Sequence, residues 1–147
     1  MTITTHSAIE IHRSPAEVWE TVSDYAADTR WRKGITEMTP DIDGPPRLGT
    51  NVREVLVLGG RSYTTDTSVT GVGPGLSYRF AGTGTSGAVT GGRRVEPGAG
   101  PDTSVFTYDV EVVPTGVPAV ARPVLGWWLR HSMRRDLRQL RTLLETS

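Results

Sequence analysis

Cysteine is absent from the 147 residues, which excludes a disulfide framework, a thiolate nucleophile, a Cys-ligated zinc and an iron–sulfur cluster. Net charge is absent as well. Lys and Arg number 16 against 16 Asp and Glu, so no overall field draws the chain to nucleic acid or phospholipid, although a local patch stays open. No stretch reaches the roughly 18 consecutive apolar residues of a membrane span, and no basic N-terminal region leads into an apolar run. Neither insertion nor secretion is expected, and the expected compartment is the cytoplasm. A chain of this length buries about two-thirds of the surface its unfolded form exposes, so one domain over residues 1–147 needs neither disulfide nor structural metal.

What is present is unevenly distributed. Val, Ile and Thr supply 41 residues, 25 of them between Ile35 and Val113, where Gly and Pro punctuate the chain. That is strand composition. Turn signals divide the region into six candidate strands: Ile35 to Ile42, Thr50 to Leu58, Arg61 to Gly71, Leu76 to Ala81, Ala88 to Glu96 and Thr103 to Val113. The connections are too short for helical crossovers, so neighbours run antiparallel. Leu76, Tyr78 and Phe80, and again Phe106, Tyr108, Val110 and Val112, alternate with polar residues and mark one buried face. The run Gly82 to Gly87 reads as a hairpin loop, suited with Gly91 and Gly92 to a mobile lip; no Gly-Lys-Ser/Thr follows it, so it is no phosphate loop.

The ends of the chain have a different texture. Residues Ile3 to His12 alternate with period two and read as a half-buried strand, leaving His6 and His12 on its polar side. Ser14-Pro15-Ala16-Glu17 is a capping box with proline in the first turn. Val18, Trp19 and Val22 make an apolar stripe, and Ser23-Asp24 offers a second cap, so two short helices with a bend are expected. Trp31, among Arg30, Arg32 and Lys33, either seals the core or lines a cavity mouth. After Ala119, Leu125, Leu129, Met133, Leu137, Leu140 and Leu144 recur every three or four residues on one face of a long helix. Arg130, Arg134, Arg135, Arg138 and Arg141 give that helix a basic outer stripe, either a solvated face or a contact for an acidic surface.

The element order is thus strand, two short helices, six strands, long helix, a layered α+β arrangement in which a curved antiparallel sheet wraps the helix. Ile9-Glu10-Ile11, Ser14 to Trp19 and Val22-Ser23-Asp24-Tyr25, then Trp31, the Gly49 to Gly60 hairpin, Leu76-Ser77-Tyr78-Arg79 and the C-terminal Leu/Arg helix resemble the START-like (SRPBCC) superfamily. This is the helix-grip, Bet v 1-like fold, and the resemblance is nearest to the polyketide cyclase/dehydrase and lipid-transport family. It implies a seven-stranded sheet around the C-terminal helix and an apolar cavity between them. The resemblance places Tyr63, Tyr78, Phe80, Phe106 and Tyr108 on the sheet wall of that cavity and Trp127, Trp128 and His131 on the helix wall, with Val124 on the same flank.

Fold analogy leaves the activity open. The first reading is binding of a small hydrophobic molecule, polyketide-, lipid- or aromatic-like. An alternative is a cyclase or dehydratase with His131 as general acid/base and Tyr78 or Tyr108 as hydrogen-bond donor. A third is an accessory protein docking on a quinone-bearing membrane or a partner through the Arg-rich helix, with only weak peripheral membrane contact. No cofactor, catalytic metal or nucleic acid is implied, and the chain is expected as monomer or homodimer.

Overall fold

The computed structural model describes residues 2–85 and 87–146. Seven strands form one antiparallel sheet in the order β1-β7-β6-β5-β4-β3-β2. They are β1 (Ile3–Ile11), β2 (Ile35–Pro40), β3 (Asn51–Leu58), β4 (Arg61–Val72), β5 (Leu76–Gly84), β6 (Gly87–Pro97) and β7 (Ser104–Pro114). From β2 to β7 the chain is a meander of sequential neighbours. β1 then closes the order by pairing with β7, Ile3 opposite Val112 through Ile11 opposite Ser104.

Between β1 and β2 lie α1 (Pro15–Val22), a 3₁₀ turn (Tyr25–Ala27) and the single-turn α2 (Asp28–Trp31). The start of α1 is set by its cap. The Glu17 amide donates to Ser14 Oγ at 3.3 Å, and the Ser14 amide donates to Glu17 Oε1 at 3.4 Å, which satisfies amides the first turn would otherwise leave open. The 3₁₀ turn has its own cap, the Ala26 amide donating to Asp24 Oδ1 at 3.1 Å.

A second 3₁₀ turn (Ala119–Ala121) leads into α3 (Arg122–Glu145), 24 residues and about 36 Å long. Leu137, Leu140 and Leu144 are buried at its C-terminal half, against Ile11, Val18, Val22, Trp31 and Phe106. Toward its N-terminus the helix packs on the β1 edge, with Gly126 against Ile3, and the sheet curves away from it. The fold is therefore the expected helix-grip arrangement, closed with leucine at one end of α3 and open at the other. No helix among the described residues is long and apolar enough to cross a membrane.

Candidate functional site

Strand register builds the site. Tyr78 on β5 lies opposite Arg93 on β6, and Arg93 lies opposite Tyr108 on β7, so three side chains stand in a row across the concave face at the spacing of cross-strand neighbours. Arg93 is 2% exposed, and its charge is met by Asp28 of α2, which is fully buried. Nη1 of Arg93 donates to Asp28 Oδ1 at 2.9 Å and to the Val22 carbonyl at 3.0 Å, and Nη2 donates to Asp28 Oδ2 at 2.6 Å. The guanidinium lies 4.6 Å from the Tyr108 ring centroid and 5.0 Å from that of Trp31, a cation held between aromatic faces. Burial works against the charge of Arg93, but Asp28 outweighs it and the guanidinium stays protonated, well above its ordinary range.

The pair continues outward. Arg32 Nη1 donates to Asp28 Oδ2 at 3.1 Å and to Glu54 Oε1 at 2.5 Å. Two guanidinium groups and two carboxylates thus cancel within one network. Around it stand phenols that burial keeps neutral: Tyr78 is pushed up and Tyr25 is pushed up to about 12. The Tyr25 hydroxyl makes no well-formed hydrogen bond among the described residues, and Tyr78 is its polar neighbour. Tyr108 Oη accepts from Arg93 Nη2 at 3.4 Å, which leaves the Tyr108 proton to donate elsewhere.

This row forms one end of a cavity of about 200 Å³ between the sheet and the N-terminal half of α3. Its walls are mainly apolar, with Leu56, Val89, Val110 and Val112 from the sheet and Trp128 and Leu129 from the helix. Its polar lining comes from Tyr25, Tyr78, Arg93 and Tyr108, from Arg32, Lys33 and Glu54, from Ser132, Arg135 and Asp136 of α3, and from Thr5, Tyr63, Thr65 and Thr67 of the sheet. Burial pushes the Asp136 carboxyl above the usual carboxylate range, against the opposing hydrogen bond from the Lys33 amide at 3.2 Å.

Residues 2–145 match the family model for polyketide cyclase / dehydrase and lipid transport. The chain belongs to that family. No protein of curated function matches it at a significant level. Among solved structures it is similar to a START superfamily protein of Mycobacterium smegmatis, with 17% identity, 97% of each chain covered and a TM-score of 0.79. A protein of Thermus thermophilus matches at 14% identity, 97% of each chain and 0.81. An aromatase/cyclase of Streptomyces sp. R1128 matches at 12% identity, over 99% of this chain and 94% of that one, with 0.80. At these identities the likeness is one of fold. The space between sheet and long helix is the hydrophobic-ligand cavity general to START-like proteins.

Of the residues that the family resemblance singles out, the structure brings Tyr63, Tyr78, Phe80, Tyr108 and Trp128 to the cavity wall. Trp31 and Phe106 sit in the core, edge to face at 6.1 Å; of the two roles open to Trp31 it takes core sealing. Val124, Trp127 and His131 do not line the cavity. Val124 and Trp127 are 67% and 63% exposed, and the exposed His131 stacks on Trp127 with rings 5.2 Å apart and 7° from parallel. His131 is therefore not positioned to exchange a proton with a molecule in the cavity. One helical residue turns the side chain by about 100°, enough to put Trp128 inside and Trp127 outside.

The glycine expectations also change. Gly91 and Gly92 are buried within β6 and form no lip, because Phe80 covers Gly91: a Cβ there would lie 2.7 Å from Phe80 Cζ. β5 continues through Gly84 and β6 begins at Gly87, opposite it, so most of the expected loop belongs to the two strands; Ser86 lies outside the described residues.

Sequence reasoning missed Arg93 and Asp28, the central pair. The signal was alternation along β6, where Val89, Gly91, Arg93 and Val95 share the inward side and Arg93 is the one charged member.

Proposed function

We propose that the protein binds a small, mainly apolar molecule in this cavity and anchors it by one uncharged oxygen between Tyr78 and Tyr108. The observation that carries the reading is a mainly apolar hollow whose innermost charges, Arg93 and Arg32 against Asp28 and Glu54, are already paired to one another, with Lys33 and Arg135 as the other cations on its wall. An anionic head buried there would compete with Asp28 for a committed guanidinium, and the loss would be large. A carbonyl, phenol or ether oxygen needs only a donor, which a neutral tyrosine supplies. The volume of about 200 Å³ lies under the roughly 300–1,000 Å³ common for ligand pockets, so it favours one or two rings over a four-ring sterol. Equilibrium binding of 2-acetylnaphthalene tests the anchor. Tyr78→Phe should weaken it about 3- to 10-fold, the range of one hydrogen bond between neutral groups; equal affinity in both proteins would refute the anchor.

A second reading adds chemistry. Two phenols beside a buried guanidinium could stabilise an enolate oxygen as it forms, which would suit a cyclase or dehydratase, and the Streptomyces structure of the same fold is named an aromatase/cyclase. Incubation with a short β-triketone and mass spectrometry for loss of water separates the readings. Turnover that falls on the order of 100-fold in Tyr78→Phe supports catalysis, and recovery of unchanged ketone supports binding alone.

A further inference from the structure

The outer face of α3 carries a feature unrelated to the cavity. Val124, Trp127, His131, Arg134, Arg138 and Arg141 recur at three- and four-residue intervals, so they form one stripe along the helix. Val120, in the preceding turn, extends it. The first part is apolar and open to water, with Val120, Val124 and Trp127 88%, 67% and 63% exposed. The second part is basic, and none of its three arginines pairs with a carboxylate among the described residues. Glu145 closes the stripe, but its carboxylate is engaged by the His12 amide at 2.8 Å. His131, flat against the Trp127 ring, sits where the two parts join.

Three large apolar side chains left in water on a chain of no net charge need a reason. We propose that this stripe docks the protein on an anionic lipid surface, with Trp127 and the valines entering the headgroup boundary and Arg134, Arg138 and Arg141 meeting lipid phosphates and carboxylates. Two observations choose a bilayer over a protein. The apolar part is a single row of three side chains, against the roughly 20–30 residues that a stable protein interface takes on each partner. Tryptophan bordered by arginine is also the pattern that settles at a membrane interface, where the ring is amphipathic and the cations attract acidic headgroups. Trp128, one residue on, lines the cavity, so docking would bring the cavity wall beside the lipid.

Flotation with phosphatidylcholine vesicles, with and without phosphatidylserine, tests the proposal in the intact protein. Binding should require phosphatidylserine and fall as salt rises. Each arginine should contribute about fivefold, so Arg134→Gln, Arg138→Gln and Arg141→Gln together should reduce partitioning on the order of 100-fold. Trp127→Ser should reduce it at every salt concentration. All these positions are exposed, and circular dichroism of each variant checks the fold. No binding to acidic vesicles at low salt, or binding indifferent to both sets of changes, overturns the proposal. A salt-insensitive complex between two copies of the chain that needs Trp127, without vesicle binding, would overturn it in favour of a self-interface. Neither outcome bears on 2-acetylnaphthalene binding, so this proposal and the cavity reading can fail separately.

Discussion

Arg93 and Asp28 meet side by side in the interior, with two guanidinium nitrogens on two carboxylate oxygens at 2.9 and 2.6 Å. The pair fastens β6 to α2 and so holds the wall on which Tyr78 and Tyr108 stand. Asp28→Ala would leave a buried cation without its partner. The expected loss is about 3–5 kcal/mol, read as a lower urea midpoint with an unchanged slope. The double variant Asp28→Leu with Arg93→Met should recover much of that loss, because it removes both charges. A single variant as stable as the parent would show that the pair does not hold the wall.

At Gly91 the sheet has no space for a side chain. A Cβ would clash with the Asp109 carbonyl oxygen as well as with Phe80. Gly91→Ala is expected to cost about 1–3 kcal/mol through overpacking and to weaken 2-acetylnaphthalene binding by displacing Phe80 into the cavity. Thermal unfolding and a binding isotherm on the same sample check both effects.

Asp136 makes stability depend on pH in a definite direction. Burial raises its folded-state value above the ordinary 3.8, so the protonated form is the one the fold favours. Its contribution is complete below 3.8 and is lost as pH rises through the raised value. Asp136→Asn keeps an acceptor for the Lys33 amide without the charge. The stability of this variant relative to the parent should therefore rise with pH across that window and then level off, which urea midpoints at a series of pH values would record. A difference that stays flat would contradict the assignment.

Much of this fold was legible because its signals are local. The strands begin and end within a few residues of the turn signals, since Gly and Pro interrupt a β-branched background. The capping box at Ser14 and the leucine spacing from Leu125 to Leu144 rest on backbone donors and helical period. The site was only half legible, for a reason of geometry. Tyr78 and Tyr108 could be seen in alternating runs, whereas Arg93 follows two glycines and precedes a second arginine, a context that looks solvated until Phe80 is placed over Gly91. Asp28 belongs to a four-residue helix whose burial depends wholly on tertiary contacts. The outward turn of Val124, Trp127 and His131 follows from α3 packing on β1 at one edge of the sheet, which helical periodicity alone does not reveal.

The central claim is that an apolar ligand lodges between the sheet and α3. Titration with prodan, a neutral two-ring ketone whose emission shifts to the blue in apolar surroundings, tests it most directly when the parent and Val89→Trp are compared, because Val89 lines the cavity and an indole there occupies it. The account predicts one saturable blue-shifted site in the parent and its loss in the folded variant. Equal binding by both proteins, or none by the parent, would contradict it.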